Sequence, residues 1–388
     1  MKTNIPYGVL EGCRFPLVPL GAIANFTSGW TPSSKNPAYY GGVNQWATIA
    51  DLNAHYISDT RQRISNVAVR DAGHPKQSKP GDLLFSFKLS VGMASIVSSP
   101  MYTNEAIATF RPSSSLDIGF AYYAFPVFLS AAARPNIYGA PLLSASLISR
   151  ARVPRLSLIE QRRIADYLDE QVQEIDFQSA QLNELIDNLR VRSIVSRSAQ
   201  IYSDSCGAER KLWSLVTKTD DASVSRESIS LENMGSWNGI AEPQKNECLV
   251  TGVPYFVGDV LFGKLRPYLA KVYRAETVGV AVGDLHVYKA GPEIDSGFLK
   301  HLLLTSKFIE YAERCSTGVK MPRVEWSKIS QFRVPLPALS RQFEIADRLD
   351  RETAETDFLI KEATELIENL KARKTALITE VVTGRKKV

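Results

Sequence analysis

Val153-Pro154-Arg155-Leu156-Ser157-Leu158-Ile159-Glu160-Gln161-Arg162-Arg163-Ile164-Ala165-Asp166-Tyr167-Leu168-Asp169 returns, 181 residues on and without a gap, as Val334-Pro335-Leu336-Pro337-Ala338-Leu339-Ser340-Arg341-Gln342-Phe343-Glu344-Ile345-Ala346-Asp347-Arg348-Leu349-Asp350. The likeness runs on. Asp176-Phe177 matches Asp357-Phe358, Glu184-Leu185-Ile186 matches Glu365-Leu366-Ile367, Asn188-Leu189 matches Asn369-Leu370, and Arg192 matches Arg373. A period this long is not that of a solenoid, whose units run to roughly 20–50 residues. It divides the chain into two halves, each closed by the same element. A chain with internal twofold likeness suits a partner that also comes in two copies.

Both copies predict a long amphipathic helix with a narrow apolar seam. Ile164, Leu168, Val172, Ile175, Leu182, Ile186 and Leu189 step by threes and fours, with Ser179 filling one turn. Ile345, Leu349, Ile360, Ile367, Leu370 and Leu377 keep the register in the second copy, with Thr353, Thr356, Ala363 and Lys374 between them. This alternation is the heptad pattern of a coiled coil, sustained for about five heptads. Val-Pro precedes each helix, where proline is tolerated, and Gly384 stops the second. A helix of about 40 residues spans roughly 60 Å. Charged residues such as Glu344, Arg348, Arg351, Glu352, Lys361 and Glu362 cover the other faces, so neither helix suits burial on several sides. The expected partner of each helix is the other, packed antiparallel.

With 388 residues the chain has room for two or three domains. Its 44% hydrophobic and 22% charged residues describe an ordinary globular protein. Leu83–Phe85 and Leu302–Leu304 are too short to span a bilayer, and Met1 to Pro6 lacks a signal-peptide core. Cys13, Cys206, Cys248 and Cys315 form no CxxC pair, so disulfides and a zinc site are not expected and a reducing cytoplasm is. His55, His74, His286 and His301 have no metal-ligand spacing. The net charge of +5 is unevenly spread: residues 1–153 carry 13 basic and 7 acidic side chains, whereas residues 337–388 carry 10 of each. The basic excess lies outside the helices and permits a polyanion partner.

The segments before the helices share organisation more than sequence. Gly81-Asp82-Leu83-Leu84-Phe85, followed by Lys88-Leu89, lines up with Gly258-Asp259-Val260-Leu261-Phe262, followed by Lys264-Leu265. Gly-Asp reads as a turn and the apolar triplet as a buried strand. The helices are kept and the globular segments have drifted, as expected if the first meet identical partners and the second different targets. Four parts follow: 1–153 globular, 154–202 central helix, 203–336 globular, and 337–388 distal helix.

No motif for chemistry survives scrutiny. Gly258 to Leu265 has a Gly-x4-Gly-Lys skeleton, but Leu265 stands where a hydroxyl would hold magnesium and the interior is an apolar strand. Asn36-Pro37-Ala38-Tyr39 lacks the second proline of the motif with which amino-methyltransferases hold a flipped adenine, and reads as a turn. Nuclease, nucleophile-elbow and HExxH patterns are missing from the sequence. The chain reads as a non-enzyme.

The order of parts, the Val-Pro-x-Leu…Gln…Ile-Ala-Asp-x-Leu-Asp helix and the ending Leu377-Ile378-Thr379-Glu380-Val381-Val382-Thr383-Gly384 resemble the DNA-specificity subunit of type I restriction-modification systems. Arg155 and Leu156 depart from the family pattern, which has Leu and Pro there. The resemblance implies an α+β chain: two mixed α/β target-recognition domains in pseudo-twofold repeat, joined by two long helices in an antiparallel coiled coil. It implies that each domain reads half of a split target in double-stranded DNA while the helices fix the spacing. It further implies two docked methyltransferase subunits, to which motor-nuclease subunits can be added. S-adenosylmethionine, ATP and magnesium then belong to those partners and none to this chain.

Reading bases needs donors and acceptors in the major groove, and holding the duplex needs Lys or Arg on phosphates. Polar, basic loops beside strand ends are the candidates: Thr31, Ser33, Ser34, Lys35, Asn36 and Lys88 in the first half, and Lys264, Arg266, Tyr268, Lys320 and Arg323 in the second. The alternative is a coiled-coil scaffold holding two protein-binding domains, with no DNA readout.

Overall fold

The computed structural model describes residues 10–135, 141–203 and 209–388. It separates into two compact units, Met1–Ser179 with Glu368–Val388, and Ala180–Ile367. The repeat is realised as two long helices, the central helix Leu158–Ser203 and the distal helix Leu339–Val382. Gly384, in the left-handed conformation (φ 72°), follows the distal one.

The first unit is built on a five-stranded sheet ordered Phe26–Ser28, Ile107–Phe110, Leu83–Ser86, Ala94–Val97, Tyr56–Ile57. Leu83–Ser86 is buried on both faces, which is why it reads as a continuous apolar run. The preceding Gly81 has φ 87°, and Asp82 accepts the Lys79 N–H at 2.8 Å, closing the turn. A three-stranded sheet of Gln62–Ile64, Tyr40–Ala47 and Tyr102–Thr103 packs a second, smaller core around Trp46 and Ile64.

The second unit repeats this design. Its sheet runs Val216–Thr219, Leu285–Ala290, Val260–Gly263, Val272–Arg274, the same order of equivalent strands without the fifth. Gly258 (φ 91°) and Asp259, which accepts the Phe256 N–H at 2.9 Å, rebuild the turn. Ser223–Ile229, Gln244–Tyr255 and Gly279–Ala281 pair as their counterparts do and close into a barrel. This strand order was not legible in the sequence.

Each domain leaves its chain through the same clip. Leu17–Pro19 pairs antiparallel with Arg152–Pro154 in the first unit, and Glu209–Lys211 with Arg333–Pro335 in the second. The long helix then docks on a short domain helix through one repeated set of contacts. Gln161, buried, accepts the Asp117 N–H at 2.8 Å and donates to the carbonyls of Ser115 (3.0 Å) and Leu156 (3.1 Å). Gln342, also buried, accepts the Asp295 N–H at 2.8 Å and donates to Glu293 (3.0 Å) and Pro337 (2.9 Å). Asp117 and Asp295 cap the helices Ile118–Ala131 and Ser296–Leu303 by accepting from Phe120 and Phe298. One turn along, Gly119 and Gly297 let the helices close: an added Cβ would stand 3.1 Å from Ala165 Cβ in one unit and 3.2 Å from Ala346 Cβ in the other. Two turns along, Asp169 accepts from the Tyr123 hydroxyl at 2.6 Å, and Asp350 accepts from His301 Nε2 at 2.8 Å while pairing with Lys300.

The seam is buried as its spacing requires. Ile164, Leu168, Val172, Ile175, Ile186, Ile345, Leu349, Ile367, Leu370 and Leu377 are buried; Leu182, Leu189 and Ile360 are half-buried. In the second unit Ile186 and Leu182 pack with Ile360, Ala363 and Ile367, and Glu352 accepts from Ser196 at 3.0 Å, so the helices run antiparallel there. In the first unit Lys374 bonds Asp176 at 2.7 Å and Lys386 stands 5.5 Å over the Tyr167 ring, again antiparallel. Lys374, a weak seam residue by sequence, is thus paired. Ile345 and Leu349 also join a core cluster with Phe298, Leu299, Leu302 and Ile201, so the domain helps to bury this end of the seam.

Candidate nucleic-acid interface

In the second half the candidate loops meet. The buried strand Val260–Gly263 ends in a turn where Arg266 takes the left-handed conformation (φ 50°). Its N–H donates to the Pro322 carbonyl at 2.7 Å, and the Val324 N–H donates to the Lys264 carbonyl at 3.0 Å. These bonds tie the turn to the loop between Thr317 and Arg323, which pair with each other. Lys264 and Arg323 share Asp284, at 3.9 and 2.9 Å. Lys320 and Tyr268 are exposed, and so are Val319 and Met321 beside Lys320. Reading the sequence missed Lys218 on the edge strand Val216–Thr219. Burial, then the charge of Lys264, pushes its ammonium pKa down. The buried His286 feels both cations: burial first, then Lys218 and Lys264, lower it to about 3, so it is neutral. Its Nδ1 lies 2.8 Å from the Tyr288 hydroxyl.

In the first half Lys88 and Thr31 stand around the equivalent turn. Lys88 is half-buried with Nζ 5.4 Å from the Phe87 ring centre, and Thr31 donates its hydroxyl to Glu105. Lys88, Leu89, Ser90, Glu105, Ala106, Pro141 and Leu142 line an open cavity of 450 Å³. Leu143 donates to the Phe87 carbonyl at 3.1 Å, as Val324 does to Lys264. The pair Arg134–Pro135 and Pro141–Leu142 therefore stands where the Thr317–Arg323 loop stands in the second unit. Arg134, exposed there, was also missed. Ser33, Ser34 and Lys35 are exposed on a turn. Asn36 has a structural task, accepting the Ala38 N–H at 3.2 Å as cap of the turn Pro37–Tyr39.

One alignment is corrected. Sequence identity pairs Lys88-Leu89 with Lys264-Leu265, but both strands are four residues long, so Lys264 matches Phe87 and Lys88 matches Leu265. The main chain agrees: Phe87 donates to Ala106 and Lys264 to Asp284 at equivalent places. Leu89 (φ 65°, 80% exposed) is then the counterpart of Arg266, which puts an apolar side chain at the tip of one turn and a cation at the other. The phosphate-loop skeleton Gly258–Lys264 is mostly strand. Among the described residues no group of His, Cys, Asp or Glu could hold a metal ion.

Residues 15–187 match the family described as the type I restriction modification DNA specificity domain. Over 161 residues, 40% of this chain, it is 27% identical to the type I restriction enzyme EcoDI specificity subunit of Escherichia coli. Over 155 residues, 38% of this chain, it is 28% identical to the MjaIX specificity subunit of Methanocaldococcus jannaschii. The matched stretches cover 36% and 35% of those relatives, about a third of their length. The fold matches over nearly the whole chain. A chain from a study of complex assembly and conformational transition in the type I R-M system superposes with a TM-score of 0.72 at 14% identity, covering 95% of this chain and 97% of that one. The HsdS subunit from Thermoanaerobacter tengcongensis gives 0.51 at 13% identity, with the same coverage. Residues 15–187 are thus similar to the type I restriction-modification specificity domain, which bears out the resemblance that the helical motifs carry. The mixed α and β fold with two long helices is shared with these two solved structures.

Proposed function

We propose that this chain is the DNA-reading, non-catalytic subunit of a type I restriction-modification complex. Each domain (residues 1–153 and 203–336) reads one half of a split target in double-stranded DNA, and the helices set the number of base pairs between the halves. Two methyltransferase subunits dock on the helices and motor-nuclease subunits add to them; S-adenosylmethionine, ATP and magnesium reside on those partners. The observation that carries the reading is the contrast within the repeat. Strand order, exit clip and helix dock are the same in both halves, whereas the turn that bears Arg266 in one bears Leu89 in the other. A duplicated frame presenting different tips is what two unlike half-sites require. Docking of two like partners is supported by apolar residues off the seam that the repeat keeps in pairs: Phe177 and Phe358 are 59% and 61% exposed, and Leu185 and Leu366 are each 48% exposed.

The test is methylome sequencing in a methylation-free host that expresses this chain with and without its neighbouring methyltransferase subunit. One split motif, modified only when both are present, is the expected result. Co-purification without a motif points instead to the scaffold. A scaffold also gives DNA binding that barely responds to salt, whereas phosphate contacts make affinity fall steeply with salt.

A further inference from the structure

We infer that Gln161 and Gln342 are positioning residues that lock each recognition domain at a fixed angle on its helix, and that these locks, together with the helix length, decide which half-site spacing is accepted. The inference rests on the functional reading above and goes beyond it by assigning the spacing to side chains.

Three features carry it. Each amide uses both its N–H groups and its oxygen on main-chain atoms of three successive pieces: the loop before the domain helix, the first residue of that helix's cap, and the linker into the long helix. Turning the amide over would set N–H against N–H and oxygen against oxygen, so one orientation alone satisfies the site. Second, both glutamines are almost fully buried, so water cannot replace a broken bond. Third, the surroundings have drifted while the bonds have not. Ser115 is matched by Glu293, Leu156 by Pro337 and Tyr123 by His301, yet the glutamine geometry agrees within 0.2 Å, with bonds of 2.8, 3.0 and 3.1 Å in one half and 2.8, 3.0 and 2.9 Å in the other.

Positions 161, 165 and 169, and likewise 342, 346 and 350, lie four apart on one helix face. The amide, the glycine–alanine approach and the aspartate therefore hold the domain helix at successive turns, which leaves no hinge at the junction. A packed leucine would bury as much apolar surface without fixing that angle. One base pair more or less between half-sites moves the second by ~3.4 Å along the duplex and turns it by ~35°. A rigid junction rejects such a shift; a loosened one tolerates it.

The experiment compares the methylated motif of the wild-type chain, assembled with its methyltransferase subunit, with those of Gln161→Ala and Gln342→Ala. The expected result is the same two half-sites, with spacings one base pair shorter or longer rising about tenfold relative to wild type. Ser340→Ala, exposed on the same helix turn, keeps the single spacing. Should either glutamine variant fail to accumulate, Asp169→Ala and Asp350→Ala loosen the same docks at partly exposed positions and widen the spacing less. Undiminished methylation at one unchanged spacing in the variants that accumulate overturns the inference, and so does an altered half-site sequence. No split motif from the wild-type chain would instead sink the functional reading.

Discussion

At the junctions, the two halves of this chain make the same bonds with different residues around them. At the turns that carry Leu89 and Arg266, they share a backbone and present different chemistry. Gln161 and Gln342 hold equivalent main-chain atoms, while Leu89 and Arg266 occupy equivalent left-handed positions with unlike side chains. The difference teaches where each half is constrained. A junction bonded through main chain tolerates drift in its neighbours' identity; an exposed tip tolerates drift in its own.

The sharpest contrast between the halves is in acid. His286 and His301 are buried and neutral in the second half, lowered mainly by burial to about 3 and about 4. In the unfolded chain both return towards 6.5, so between pH 6.5 and 4 the unfolded state binds protons that the fold refuses. Their contribution is complete above pH 6.5 and drains as pH falls, about 2 kcal/mol for each at pH 5. The first half has His55, which burial also lowers, but it is only half-buried and stacked 4.0 Å from the Tyr122 ring; Asp169 opposes its shift as Asp350 opposes that of His301. Hydrogen exchange at pH 7 and pH 5, corrected for intrinsic rates, should show the second domain losing more protection than the first. Equal losses would break the comparison.

A smaller effect sharpens the likeness. Gly119→Val and Gly297→Val each push a side chain against an alanine of the long helix and should cost about 1–3 kcal/mol. The two costs should agree within about 0.5 kcal/mol in thermal unfolding, because the approach distances are nearly the same. A large gap between them would show that the docks differ in rigidity.

Smallest in stability are the turns that carry Lys88 and Arg266. Arg266→Ala and Lys88→Ala should change folding by less than about 0.5 kcal/mol. Each should weaken DNA binding and reduce the salt slope by about one if its cation sits on a phosphate. Affinity unchanged across a salt titration removes that residue from the interface.

The helices were legible because their signal is periodic and local. The seam residues named from spacing are buried or half-buried, and the Gly-Asp turns with their apolar strands stand where the residues put them. Strand order was hidden, since pairs such as Leu83 with Phe110 and Phe26 with Phe110 join segments that share no local pattern. Lys218 was missed for the same reason: what makes it a candidate is Lys264, far along the chain. Arg134 stands out only through its place opposite Leu142. Asn36, a candidate by its polarity and loop position, also has a local task that the sequence did not show, its oxygen capping its own turn.

The clips Leu17–Pro19 with Arg152–Pro154, and Glu209–Lys211 with Arg333–Pro335, bring the entry and exit of each domain side by side. A segment bounded in this way is a cassette. Exchange between related genes at the repeated Val-Pro stretch could replace one domain whole, together with the acceptors that its helix glutamine needs, and leave the rest of the chain undisturbed. On the proposed function, such a protein acquires a new target in one genetic step, where a single intertwined core would need many.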